Sequence, residues 1–315
     1  MNSGDFALAL GVSPLAPRSP QAGAIADLFL TTLAICAVIF LLVTGLVVYC
    51  IARFRDRGGA EPVQVEGHKR LEIAWTIAPV LVLVWLLVLT MRAMSLSDPP
   101  VDRAPDVTVI GHQWWWEARY PSGVVTANEI HIPVGKPLVV RVESSDVVHD
   151  FWVPDLGRKI DAIPGRPTSI WMQASEPGTY LGACAEYCGV QHAWMRILVV
   201  AEAPDAFAAW ERRELSPPLA PAPGLPARGA AVFREMTCVK CHAVGRAEDG
   251  PRVGPDLTHL AARTTLGAGV LRNGHDELTR WLRDPQGVKA GCHMPDAQLT
   301  DEQLAALVAW FETLR

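Results

Sequence analysis

Two uncharged apolar runs dominate the first hundred residues. The first extends from Leu28 to Ala52 and the second from Ile73 to Met91. At about 1.5 Å rise per residue, either can cross a hydrocarbon core of roughly 30 Å as a helix. Pro79 in the second run is tolerable where neighbouring helices or waters satisfy the carbonyl it frees. Each run alone could be a buried helix of a soluble protein. Joined by a short polar loop, the pair predicts a transmembrane hairpin over 28–95. That loop carries Arg53, Arg55, Arg57, Lys69 and Arg70, and the outer flanks carry far fewer cations. An excess of basic residues marks the cytoplasmic side, so both chain ends are expected outside. Residues 1–27 read as a non-cytoplasmic lead-in, because the apolar stretch Phe6–Leu10 is too short for a secretory core. Cys36 and Cys50 lie in the first run and read as packing residues.

From Asp106 the period changes. Val107–Ile110, Ile130–Val134, Leu138–Val142, Ser169–Met172, Thr179–Leu181 and Ile197–Val200 are short runs rich in β-branched residues, punctuated by Pro, Gly, Asn and Asp. They predict an antiparallel β-sandwich over 96–203. A charged helix at Phe207–Glu214 follows, then a Pro/Ala tract. Residues 204–226 are read together as a linker, semi-rigid where extended. The remaining residues, 227–315, return to helical spacing. Ala227–Thr237 and Asp301–Leu314 read as helices, the second with Leu304, Leu307, Trp310 and Phe311 on one face.

Composition adds little to this picture. The chain has 315 residues, half of them apolar, and a formal charge of −5. Such a length suggests more than one domain, and nothing in the charge calls for nucleic acid. The seven cysteines fall into cofactor-like spacings instead of a disulfide framework.

The chemistry concentrates in Cys184-Ala-Glu186-Tyr-Cys188-Gly-Val-Gln-His192-Ala-Trp-Met195, with a further imidazole upstream at His149. Thiolate, imidazole and thioether together favour copper. A mononuclear blue-copper site needs one Cys, so the second thiol is spare. Two thiolates are used most economically by bridging two ions, each holding one His, with Met195 and the Glu186 carbonyl as weak outer ligands. A Cys184–Cys188 disulfide or a zinc site is the alternative, although Met is not a normal zinc ligand.

This loop resembles the dinuclear CuA loop of cytochrome c oxidase subunit II, matching its Cys-x-Glu-x-Cys-x-x-x-His-x-x-Met pattern at every ligand position. The resemblance implies a cupredoxin Greek-key barrel, with Cys184 and Cys188 bridging two coppers and His149 and His192 as terminal ligands. Met195 and the Glu186 carbonyl would be the weak ligands, and the Glu186 carboxylate would reach a magnesium ion at the contact with subunit I. Gly111-His-Gln-Trp114-Trp115-Trp116 resembles the family's aromatic signature, which makes Trp114 the point where electrons arrive; the family commonly has Tyr where Trp115 stands. Packing alone is the other use for these tryptophans. Asp161-Ala-Ile-Pro-Gly-Arg166 resembles a segment near subunit I, so Asp161 and Arg166 are expected contact residues. Leu71–Pro79 looks like the start of the family's second helix.

Cys238-Val-Lys-Cys241-His242 carries the attachment signature of c-type haem. Two thioethers would form at Cys238 and Cys241, with His242 as proximal iron ligand. A thioredoxin-like pair or half a zinc site would share the spacing. The order of helix, motif, Gly254-Pro-Asp, Trp281-Leu-Arg-Asp-Pro and Met294-Pro295 resembles a class I cytochrome c, all-α, with Met294 as distal ligand. His293 is an adjacent competitor, and Cys292 has no assigned role.

Taken together, the resemblance implies the electron-input subunit of a respiratory terminal oxidase. A donor, either a cytochrome c or a cytochrome bc complex, would reduce haem c. The dicopper centre would follow, then the oxygen-reducing haem–copper site of subunit I, with subunit III and membrane lipid as further partners. The expected location is the bacterial inner membrane, with the cofactor domains on the periplasmic side. Alternatives are a CuA-containing subunit of a nitric oxide reductase, or a membrane-anchored electron carrier or copper-delivery protein without a terminal oxidase. Nitrous oxide reductase would need a His-rich domain that this sequence lacks.

Overall fold

A computed structural model describes residues 14–55, 58, 59, 63, 67–98, 103–236, 238–245 and 253–315. Arg57 of the basic loop, Thr237, and Phe6–Leu10 of the lead-in lie outside them. The chain divides into two compact units, Gly23–Leu96 and the remainder.

The first unit holds most of two long helices, α1 (Pro20–Arg53) and α2 (Lys69–Ser97). Helix α1 begins inside the stretch read as a lead-in. The Ser19 hydroxyl accepts the Ala22 N–H at 2.9 Å and so satisfies a donor that the first turn leaves open. At the start of α2 the Glu72 carboxylate reaches back to the His68 N–H at 3.2 Å. Both helices are long and apolar enough to cross a membrane, and among the described residues none in their most apolar windows is buried. A face apolar all round and left bare is suited to lipid or a partner helix.

The second unit contains two five-stranded sheets. The strands are β1 (Val107–His112), β2 (Trp115–Arg119), β3 (Val125–Ala127), β4 (Glu129–Pro133), β5 (Leu138–Ser144), β6 (His149–Trp152), β7 (Ile160–Ala162), β8 (Thr168–Met172), β9 (Gly178–Cys184) and β10 (Arg196–Glu202). One sheet runs β3-β2-β1-β5-β8 and the other β4-β10-β9-β6-β7. Trp116, Ile130, Ile132, Phe151, Met195 and Ile197 are fully buried in this domain. The sandwich is cupredoxin-like but not wholly antiparallel. β1 pairs parallel with β5, and β4 with β10, because crossing connections bring non-sequential strands together. The expected strands appear at the predicted places. Strands β2, β3, β6 and β7 were not legible, being short and lacking clean alternation.

Helix α3 (Pro204–Glu214) closes the barrel, its Trp210 ring stacked 4.2 Å from His131. An irregular Pro-rich stretch leads to α4 (Leu225–Glu235). The C-terminal region adds a two-stranded hairpin of β11 (Thr265–Leu266) and β12 (Leu271–Arg272), then α5 (His275–Arg283), α6 (Pro285–Val288) and α7 (Asp301–Phe311). The hairpin departs from the all-α expectation for this region. Thr300 and Gln303 form a reciprocal capping box at the start of α7. Helices α4 and α7 cross at Gly229, where a Cβ would overlap the Ala306 carbonyl; only glycine allows that approach.

Candidate functional site

The Cys-rich loop spans the gap between β9 and β10. Cys184 ends β9, and β6 lies beside β9 with Phe151 opposite Cys184. That pairing brings His149, at the start of β6, next to the loop. Cys184 Sγ lies 3.7 Å from Cys188 Sγ, 3.9 Å from His149 Nδ1 and 3.2 Å from the Glu186 carbonyl. Cys188 Sγ lies 3.6 Å from His192 Nδ1 and 3.8 Å from Met195 Sδ. The expected copper ligands therefore converge. A sulfur separation of 3.7 Å is far beyond a disulfide bond of about 2.05 Å.

The donor set suits soft metal ions. The Cys184 thiol is drawn well below its ordinary range, chiefly by its hydrogen bond with the Cys188 thiol, then by His149, against burial. Cys188 is pushed up by the same hydrogen bond and by burial. Two adjacent thiolates repel one another, and a metal ion held by these residues would offset that repulsion. His149 is fully buried. Burial disfavours its cation, but Asp146 and Cys184 outweigh burial and raise its pKa.

Further residues fix this geometry. Asp146 Oδ1 lies 2.8 Å from His149 Nε2, which orients Nδ1 toward the sulfurs; a carboxylate on the outer ring nitrogen commonly does this. Sequence reasoning missed Asp146, although a carboxylate three residues before a ligand His is a usable signal. Gly111 was also missed as a separate determinant. A Cβ there would meet the His149 ring at 2.7 Å. Glu186 is exposed, its carboxylate accepting the Tyr187 N–H at 3.2 Å. Asp161 and Arg166 are exposed as well, and Asp161 pairs opposite Asp150, the neighbour of His149.

The three tryptophans separate. Trp116 is core, and Trp115 stacks on His112 with ring centroids 4.3 Å apart. Trp114 lies against the loop, its indole N–H donating to the Cys188 carbonyl at 3.0 Å. Gly189, at φ +118°, leaves the space the indole fills; a Cβ there would meet Trp114 at 2.9 Å.

In the C-terminal region, a single 3-10 turn begins at Cys238 and leads directly into Cys241. His242 donates from Nδ1 to the Pro255 carbonyl, with the two atoms 2.8 Å apart. This leaves Nε2 with the lone pair that an iron ligand needs. Burial lowers the His242 pKa, partly opposed by that carbonyl. A Cβ on Gly254 would meet the same ring at 2.6 Å. Cys238 and Met294 pack, partly buried, against one C-terminal core. These residues fit a covalently held haem.

Comparison with known proteins identifies the family. Residues 10–93 match the transmembrane domain of cytochrome c oxidase subunit II, 122–202 match its periplasmic domain, and 226–315 match cytochrome c. Cytochrome c oxidase subunit 2 of Alkalihalophilus pseudofirmus is 35% identical over 314 residues, covering 96% of this chain and 91% of that protein. The chain belongs to the cytochrome c oxidase subunit II family. This subunit II is also 31% identical to that of Bacillus subtilis, over 85% of the chain and 82% of the relative. A crystal structure of the periplasmic domain of subunit II from Bradyrhizobium japonicum is 33% identical, covers 37% of the chain and 95% of that domain, and has a TM-score of 0.35. The protein is thus an oxidase subunit II with a C-terminal cytochrome c domain. That combination supports an electron-input role and implies copper and haem c as cofactors.

Proposed function

We propose that this subunit II takes electrons into a haem held by Cys238, Cys241, His242 and Met294 and passes them through a CuA pair to subunit I for oxygen reduction. The convergence of His149, from β6, with Cys184, Cys188, His192, Met195 and the Glu186 carbonyl of the Cys-rich loop carries this reading. Bound there, the copper pair and the haem supply one-electron carriage. The chain supplies the rest. Asp146 and Gly111 hold His149 in register. The barrel fixes the two thiols, and the Pro255 carbonyl fixes the His242 tautomer.

Only 7% of the Trp114 surface is exposed. A donor, whether a cytochrome c or a cytochrome bc complex, therefore meets the haem-binding domain first. The exposed Glu186 carboxylate is the candidate magnesium ligand toward subunit I, with Asp161 and Arg166 as contacts. Subunit III and lipid complete the assembly in a bacterial inner membrane, with both cofactor domains on the periplasmic side.

Electron paramagnetic resonance with metal and haem analysis of the full chain tests the assignment. One unpaired electron shared by two equivalent coppers, with two coppers and one covalent haem per chain, is the expected result. A single-copper spectrum from copper-loaded protein would sink the bridged pair. Oxygen consumption by the purified complex, set against nitric oxide consumption, separates an oxidase from a nitric oxide reductase.

A further inference from the structure

The haem-binding region rests on the barrel through buried charges, one from each side. Glu129 of β4 is 4% exposed. Its Oε1 accepts from the Thr264 and Thr265 backbone N–H groups at 2.8 and 2.9 Å, and from both hydroxyls at 2.8 and 3.2 Å. In the other direction, Lys289 is 5% exposed. Its ammonium donates to the Trp114 carbonyl at 3.0 Å and to the Gly267 carbonyl at 3.1 Å. A buried charge lacking partners is costly, so each of these groups is held in place only while the opposite domain stays put. The His293 ring packs tilted against Trp114, centroids 4.7 Å apart. Trp114 in turn donates to the Cys188 carbonyl. A contact path therefore runs from the neighbour of Met294 through Trp114 to the backbone carbonyl of Cys188 in the copper loop.

We propose that Glu129 and Lys289 are positioning residues that lock the haem-binding domain onto the copper loop, and that His293 is the contact through which it meets Trp114. This rests on the electron-input reading above. What passes is one electron, lost by a ferrous haem and gained by the copper pair, with no bond made or broken and no proton moved. The lock replaces a diffusing encounter by one fixed contact.

Hydrogen exchange on the full chain tests the lock. The Arg196 amide donates across the boundary to Ala268 and bonds to neither clamp residue. Its exchange should quicken about tenfold or more in Glu129→Ala and in Lys289→Met, the second variant serving if the first misfolds. Equal exchange in wild type and both variants would overturn the lock. Laser-pulse transfer from haem to copper tests the contact. It should slow about tenfold in His293→Leu and recover in His293→Phe, with Arg196 protection unchanged in both. Equal rates in all three proteins would remove His293 from the path. Copper and haem contents measured on the same samples report separately on the electron-input reading, and the exchange comparison decides docking whatever they show.

Discussion

At the scale of single residues, the site depends on groups that hold no metal. Gly111 is the clearest case, because a methyl there would enter the His149 ring. Gly111→Ala should displace that ligand, lower copper per chain, and cost about 1–3 kcal/mol by overpacking. Metal analysis and thermal unfolding check both effects. Glu117 gives a pH prediction. Its side chain is 2% exposed. Burial pushes its pKa up, but His112 and Arg119 outweigh burial and hold it at about 2, against an ordinary 4.5. A depressed folded-state pKa gives stability that is present above the unfolded value and lost as pH falls through the folded one. About 3 kcal/mol should therefore disappear between roughly pH 4.5 and 2. Urea unfolding across that range should show the loss in wild type and a flatter profile in Glu117→Gln.

At the scale of elements, strand pairing builds the copper site and a helix crossing builds the haem-binding domain. The β6–β9 pairing sets His149 against Cys184, and the loop to β10 returns His192 and Met195 to the same point. The α4–α7 crossing depends on Gly229, since backbone on the opposing helix occupies the space of any side chain. Gly229→Val should force the helices apart, costing about 3 kcal/mol or more. The cost should show as early melting of the C-terminal domain, with the copper spectrum retained. Leu307, 1% exposed in the same core, should cost about 2–5 kcal/mol as Leu307→Ala.

At the scale of the whole molecule, the Pro-rich tether and the buried clamps do different work. The tether keeps the haem-binding domain near, and the clamps choose its pose. Doubling the length of 215–224 with Gly and Ser should weaken docking only about threefold, since loop-closure entropy grows slowly with length. Arg196 exchange in the lengthened chain measures this. A much larger loss would mean that the tether, not the clamps, sets the pose.

Spacing alone determined much of this protein. Two uncharged runs specified two membrane-capable helices, because the hydrocarbon thickness demands that length. Alternation from Asp106 specified a sandwich. The Cys, His and Met pattern named the candidate copper ligands, and C-x-x-C-H the haem-attachment site. These features are local, so they can be read along one strand, one helix or one loop. The parallel pairings β1–β5 and β4–β10 could not be read, because crossover order leaves no local trace. Nor could the clearance at Gly111 and Gly229, nor the partners of Glu129, Lys289 and His293. Each depends on residues more than thirty positions away, brought together only by packing. In the sequence Lys289 is one cation among many. Only the fold buries it and aims it at the Trp114 carbonyl, with burial drawing its pKa down to about 8.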